Sequence, residues 1–267
     1  MHFPLVLHPC TAGWQLQWPD SAAVARREGF AAVVLSRDQA IPPEAPAGTP
    51  LPVRSLLLAA EPRRDEETFR QTLPRLRPQA CLAARLGCAV APVGLPPSSE
   101  QPKAERAAEL RRRLRICQEV LDEFGIRLAL EPITPLALRR QFPYEFIWKL
   151  EEMLDFAHSI SPHCGLAVDS WHWHHAGADA AELAALPPAA ILDVHVSDSP
   201  PLPPDQIRDL ERCVPGEGVI DFQAFFQALP YQGHLTVEIF GSRLRSLAPE
   251  AAVAEAYRCT NQLLTTL

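Results

Sequence analysis

Four acidic or imidazole side chains close four successive apolar runs in the second half of the chain. Glu131 ends "LALE", Asp169 ends "LAVD", His195 sits near the end of "ILDVHV" and Glu238 near the end of "LTVEI". Three carboxylates and one imidazole form a mixed oxygen and nitrogen set, which suits one divalent cation such as Mn2+, Mg2+, Co2+ or Zn2+ and leaves room for substrate oxygens. No cysteine joins the set, which disfavours a soft-metal site. Each residue also has a plainer reading, Asp169 as the N-cap of the following turn and Glu131 or Glu238 as partners of a nearby arginine. Four such residues in succession are hard to explain as caps. The stretch "DSWHWHH" adds His172, three residues after Asp169, which can lean over the same site behind the ligands or against a substrate. His174 and His175 lie farther on and read as solvated loop histidines. Trp171 and Trp173 either wall a pocket or pack beneath a loop.

These residues meet only if the runs that carry them lie side by side. Eight apolar runs of strand length recur, at 4–7, 31–35, 54–59, 88–93, 126–131, 165–169, 191–196 and 235–239. Between them lie stretches with apolar residues at three- and four-residue spacing, at 18–28, 66–86, 102–124, 145–159 and 248–265, which predict amphipathic helices. Continuous apolar strands alternating with helices imply a parallel sheet with helices outside it, and eight units in this length predict a closed (β/α)8 barrel. An open doubly wound sheet is the alternative, but no GxGxxG opens a helix, and neither a Walker-type loop nor a GxSxG elbow is present. In such a barrel the C-terminal strand ends share one mouth. The separations of 38, 26 and 43 residues between the four ionisable groups are one strand–helix unit each.

Composition excludes several function classes. With 267 residues and 47% hydrophobic content, the chain is long enough to bury roughly three quarters of its unfolded surface. The net charge is −7 and the basic run Arg111–Arg113 falls within a predicted helix, so no footprint for nucleic acid stands out. Seven cysteines without CxxC spacing argue for small buried thiols in a reducing cytoplasm rather than a disulfide framework. "MHFPLVLHPC" lacks the basic start and apolar length of a signal peptide, and no run of about 18 apolar residues predicts a membrane span. The 28 prolines gather in the loops "IPPEAPAGTPLP" at 41–52, "GLPPSSEQP" at 94–102 and "SPPLPPD" at 199–205, where they stiffen connections without marking a domain boundary.

The motifs "LALEP" at 128–132, "DSWH" at 169–172, "HVSD" at 195–198, "RCVPGEGVIDF" at 212–222 and "TVEIF" at 236–240 together resemble the xylose isomerase-like TIM barrels. That superfamily includes sugar-phosphate isomerases and epimerases, ketose 3-epimerases, inosose dehydratases and, more distantly, endonuclease IV. The resemblance covers most of the chain and is carried mainly by residues 126–240. It implies a single TIM-barrel domain over 1–267, with Glu131, Asp169, His195 and Glu238 binding one divalent metal ion. It further implies that His172 and Arg212 contact substrate oxygens and that Glu131 and Glu238 double as acid and base. A small sugar or polyol-derived substrate is the implied partner, and barrels of this kind often form homodimers, although no apolar stripe marks an interface here. The implied reaction is isomerisation or epimerisation by proton transfer next to a carbonyl, through an enediolate that the metal and Arg212 stabilise.

Two departures narrow the substrate. "EPITPLALRR" carries Thr134 and no acidic residue before Glu145, whereas ketose 3-epimerases have an asparagine and a further glutamate there. "CAVAPVGLPP" and "VIDFQAFF" lack the extra histidines of the trinuclear zinc site of endonuclease IV, which speaks against DNA repair. A dehydratase is the alternative enzyme, with His172 or His174 protonating the departing hydroxyl. A non-catalytic sugar-binding barrel is the remaining reading, although none of the four ligands is missing. Arg139, Arg140 and Tyr144 form either a lid for an anionic or polyhydroxy substrate or a solvated helix start. In "VPGEGVIDF", Pro215 and Gly216 predict a turn, Gly218 a close backbone approach and Asp221 the cap of a helix beginning near Phe222, while Glu217 is free to face the pocket.

Overall fold

Strands that are apolar on both faces need cover on both sides, and the computed structural model supplies it for the residues it describes, 3–39 and 51–267. Eight parallel strands close into a ring in chain order: β1 (Leu5–Leu7), β2 (Ala32–Leu35), β3 (Val53–Leu56), β4 (Val90–Leu95), β5 (Arg127–Pro132), β6 (Gly165–Asp169), β7 (Ile191–Val196) and β8 (Leu235–Val237). β1 pairs with β8 through Leu5–Leu235, Val6–Thr236 and Leu7–Val237, which closes the barrel. All eight expected strands are present, shifted by at most a few residues.

The two faces of each strand have different work. Outward-facing Leu128, Leu130, Leu166, Val168, Val194, Val196, Leu235 and Val237 join the large apolar cluster beneath the helices. The inward positions are small or polar: Ala129 and Ala167 meet Val90 and Leu192, and Val6, Ala32 and Val34 form a second interior group. Because side chains alternate with period two, the next inward positions after Ala129, Ala167, Asp193 and Thr236 are Glu131, Asp169, His195 and Glu238. The small bottom layer thus sets an ionisable top layer at the mouth.

The helices follow the predicted periodicity with one interruption. α1 spans Asp20–Glu28, and the stretch at 66–86 divides into α2 (Glu66–Thr72) and α3 (Leu76–Arg85) around a 3-10 turn at Leu73–Arg75. Pro74 has no N–H to carry the ladder through that point. α4 (Lys103–Asp122) buries Leu110, Leu114, Cys117 and Leu121 against the barrel. α5 begins only at Leu150 and ends at Ile160, because Tyr144–Glu145 instead pairs antiparallel with Ser98–Ser99. Two short helices follow β6, namely α6 (Ser170–His175) and α7 (Ala180–Ala184). α8 (Phe222–Ala228) is capped by Asp221, whose carboxylate accepts from the Ala224 N–H at 2.9 Å, as the sequence predicts. α9 (Pro249–Thr266) packs against α1, β8 and the turn at Pro9–Ala12.

All seven cysteines are free, and Cys10, Cys88, Cys117, Cys164 and Cys259 are buried. Among the described residues no helix is long and apolar enough to cross a membrane. Most of the proline-rich stretch at 41–52 lies outside the described residues.

Candidate active site

The four strand-end groups do converge. Each of Glu131, Asp169, His195 and Glu238 offers one ligand atom, and these atoms lie within 4.8 Å of one another, all on buried residues. Register explains part of this, since Asp169 and His195 are direct partners between β6 and β7. Glu238 follows β8, its N–H donating to the Val196 carbonyl at 3.2 Å. His195 Nδ1 stands 3.2 Å from Glu131 Oε1 and 3.4 Å from Glu238 Oε2. Neither approach has hydrogen-bond geometry, and both His195 ring nitrogens and Glu131 Oε1 are buried without a hydrogen-bond partner. Orphaned donors and acceptors at such depth are costly, and a cation shared by His195 Nδ1 and Glu131 Oε1 would satisfy those two. The set of oxygen and nitrogen donors therefore fits a hard or borderline divalent ion.

Charge supports that fit. Burial pulls the His195 imidazole down, but Glu238, Glu131 and Asp193 outweigh it and hold the ring well above its ordinary range. Surplus carboxylate surrounds the ring, so the site is built around positive charge. The two glutamates are pushed apart. Burial raises the Glu131 carboxyl more than His195 lowers it. Burial also pushes Glu238 up, yet His8, His195 and Arg212 together hold it well below the usual carboxylate range.

Arg212 reaches into this cluster. Its Nη1 donates to Asp169 Oδ2 at 2.7 Å and to Glu238 Oε2 and Ser197 Oγ at 3.3 Å, and its Nη2 donates to Asp209 Oδ1 at 2.8 Å. Trp171 and Phe240 flank the guanidinium at 5.3 and 5.1 Å. Asp169 is also the cap the sequence offers, because its Oδ1 accepts from the Trp171 N–H at 2.6 Å at the start of α6.

A cavity of about 250 Å3 opens onto Glu131, His195, Arg212 and Glu238, and its remaining wall includes His8, Trp14, Arg37, Glu61, Arg63, Asp209 and Phe240. His172 is buried and sits behind Arg212, with Nε2 3.4 Å from Nη2 and the Thr134 hydroxyl donating to its carbonyl at 2.8 Å. It holds the arginine rather than forming the cavity wall. His174 and His175 are not solvated loop residues. They are half-buried on α6, and His175 packs its ring 4.5 Å from Trp171 and places Nε2 3.1 Å from Ser199 Oγ. Burial depresses both, His175 to about 3. Trp171 and Trp173 are both core residues.

The loops resolve similarly. Arg139 stacks on Trp148 at 4.2 Å, Tyr144 is exposed, and neither they nor Arg140 line the cavity. Glu217 is exposed and pairs with Arg243 outside the mouth. Gly216 has φ +90°, and a Cβ on Gly218 would lie 2.2 Å from the Ser199 carbonyl, so both predicted glycine roles hold.

Several functional residues escape the sequence reading. His8 ends the first strand run as Glu238 ends the last, and its Nε2 lies 3.3 Å from Glu238 Oε1; the strand-end rule, applied to β1, finds it. Behind it Cys10 Sγ lies 2.9 Å from His8 Nδ1, which brings a thiol closer to the site than the sequence suggests. Asp193, two residues before His195 on the same strand face, sets Oδ2 3.6 Å from His195 Nε2 and is itself held by the Val194 N–H and the Thr236 hydroxyl. A carboxylate behind the ring favours the proton on Nε2 and leaves Nδ1 as the ligand atom. Asp198 of "HVSD" is buried and accepts from four backbone N–H groups, those of Ser199, Gly216, Gly218 and Ile220, at 2.8 to 3.0 Å. It ties the loop that follows Arg212 to the end of β7.

Residues 47–263 match the xylose isomerase-like TIM barrel family. An inosose isomerase of Bacillus subtilis (strain 168) is 25% identical over 146 residues, 53% of this chain and 50% of that protein, so the match spans about half the length of that relative. The fold superimposes with a TM-score of 0.85 on a xylose isomerase domain protein from Alicyclobacillus acidocaldarius, at 26% identity and 99% coverage of both chains. It superimposes with a TM-score of 0.80 on the IolI protein crystallised with a zinc atom, at 17% identity and 98% coverage of both.

Proposed function

Because the chain belongs to the xylose isomerase-like TIM barrel family, we propose that it is a metal-dependent isomerase or epimerase that moves a proton next to the carbonyl of a small polyhydroxy aldehyde or ketone. Glu131, Asp169, His195 and Glu238 would hold one divalent cation, which when bound polarises a carbonyl and acidifies the neighbouring C–H. Proton transfer itself falls to the two glutamates. Glu238, kept ionised by His195 and Arg212, takes the proton from carbon; Glu131, whose carboxyl burial raises, returns one. Return to the same carbon from the other face inverts its configuration, and return to the adjacent carbon moves the carbonyl. Arg212 brings fixed positive charge to the enediolate oxygens, and Trp14 and Phe240 supply apolar wall to the cavity.

One observation carries this reading. Two buried glutamates whose environments push their carboxyls in opposite directions face one cavity, each within 3.4 Å of the same histidine nitrogen. The dehydratase reading requires a further acid at the cavity, and neither His172 nor His174 lines it. The likeness to an inosose isomerase makes cyclic polyol ketones the first substrates to try. Proton NMR of ketoses, inososes and their phosphates incubated with Mn2+-loaded protein in D2O tests the proposal. Deuterium entering next to a carbonyl, with a new isomer or epimer signal, is the expected result. Loss of water from the substrate, or metal binding without exchange across the whole panel, would overturn it.

A further inference from the structure

The cavity carries more positive charge than the proton transfer uses. Arg37, Glu61 and Arg63 share its wall with Glu131, His195, Arg212 and Glu238. Arg37 is matched, since it pairs with Glu61. Arg63 is not: among the described residues no carboxylate pairs with it, and its one hydrogen bond runs from Nη1 to the Gly94 carbonyl at 2.8 Å. Among the described residues its other side-chain N–H groups take no acceptor. Burial, followed by the neighbouring Arg37, pulls the Arg63 guanidinium below its ordinary range, and the nearby charges of Glu61 and Glu131 do not fully offset it.

The loop that presents Arg63 is held rigidly. Arg113 of α4, 1% exposed, donates to the carbonyls of Pro62 and Arg64, and Arg106 of the same helix donates to the Arg63 carbonyl at 2.8 Å. The Glu61 N–H donates to the Thr72 hydroxyl at 3.0 Å, and Asp65 caps α2 by accepting from the Thr68 N–H at 2.9 Å. Three consecutive carbonyls tied by buried or half-buried arginines fix where residue 63 points, and such preorganisation favours binding. Gly94 connects this group to the chemistry. It is the register partner of Glu131, and a Cβ placed on it would stand 3.1 Å from Glu131 Oε2. The carbonyl that orients Arg63 therefore belongs to the residue lying against the catalytic glutamate.

We propose that Arg63, with Arg37 beside it, binds an anionic group of the substrate, so that the compound turned over is a sugar acid or a sugar phosphate and not a neutral sugar. The proposal rests on the isomerase reading for its substrate skeleton and on the arginine geometry for its charge. An arginine fork suits both carboxylate and phosphate, and the experiment separates them.

Titration calorimetry on the full chain would compare D-fructose, D-fructose 6-phosphate, D-fructuronate and inorganic phosphate. One of the two sugar anions is expected to bind about tenfold or more tightly than D-fructose. Arg63→Gln, which keeps an amide donor for the Gly94 carbonyl, should bring that ratio to within about twofold, and Arg37→Gln should lower it severalfold. A stronger response to the phosphate ester assigns a sugar phosphate, and a stronger response to the uronate a sugar acid. Equal affinity for neutral and anionic sugars, an anion preference that survives both substitutions, or no binding by any of the four compounds overturns the proposal. Deuterium exchange run on the same compounds keeps the two readings apart. Arg63-dependent anion binding without exchange leaves the anion site and overturns the isomerase, whereas exchange on D-fructose without any anion preference does the reverse.

Discussion

In the C-terminal half of the barrel, β5 to β8, the four clustered carboxylate and imidazole groups stand on the strands or one residue past them, at Glu131, Asp169, His195 and Glu238, while Arg212 reaches them from the loop after β7. In the N-terminal half only His8 does so; Trp14, Arg37, Glu61 and Arg63 stand on loops, two to seven residues beyond the ends of β1, β2 and β3. The first group inherits its geometry from the hydrogen-bonded sheet, and the second from local anchors such as Arg113. Strand-fixed groups suit chemistry that tolerates little displacement, and loop groups suit the choice of what enters.

The largest expected effect tests the strand-fixed half. Glu238→Gln keeps the shape of the side chain and removes a carboxylate that meets His8, His195 and Arg212. Deuterium exchange into substrate should fall by about a thousandfold or more and metal content should drop, while circular dichroism stays unchanged. A variant with undiminished metal content would break the assignment of Glu238 as a ligand. Asp198→Asn probes how the same half holds itself together. It replaces one of two acceptor oxygens with a donor facing backbone N–H groups, and should cost about 3 to 4 kcal/mol in urea unfolding.

His8 is the point where the N-terminal half touches the ligand group, and its burial makes it a pH sensor of stability. Burial holds its imidazole down to about 4, against an ordinary 6.5. As pH falls through that window the unfolded chain binds a proton that the folded chain refuses, so stability is lost with falling pH, on the order of 3 kcal/mol across it. Urea midpoints measured from pH 7 to pH 4 should show this decline, and His8→Gln should flatten it; an equally steep decline in the variant assigns the acid sensitivity elsewhere. The smallest effect concerns support from below. Asp193→Asn should weaken Mn2+ binding by about tenfold to a hundredfold in equilibrium dialysis, and unchanged affinity would mean that His195 needs no carboxylate behind it.

The same contrast explains what could be read in advance. Apolar strands ending in Glu131, Asp169, His195 and Glu238 reveal the barrel and the cluster of ionisable groups at its mouth, because period-two alternation and strand ends are properties of sequence. Arg63 has no such signature. It lies in "EPRRDEE" beside Arg64, and only the carbonyls that Arg106 and Arg113 engage some 40 to 50 positions later decide that residue 63 faces the cavity and residue 64 does not. His174 and His175 show the opposite failure. A cluster conspicuous in composition packs on α6 against Trp171 and Ser199 and takes no part in the cavity wall. Asp193 lies between these cases, since its spacing from His195 is readable once the strand is known, but an aspartate inside an apolar run carries no label of its own.

The carboxylate of Asp198 sets the tempo of the rim it holds. The amides of Ser199, Gly216, Gly218 and Ile220 belong to irregular chain, yet each is bonded to a buried oxygen. Such amides exchange with deuterated solvent only when the surrounding unit opens, so they should be protected like strand amides. The segment after Arg212 then opens and closes together with the barrel itself, and any gating motion that admits a substrate must come from another part of the mouth.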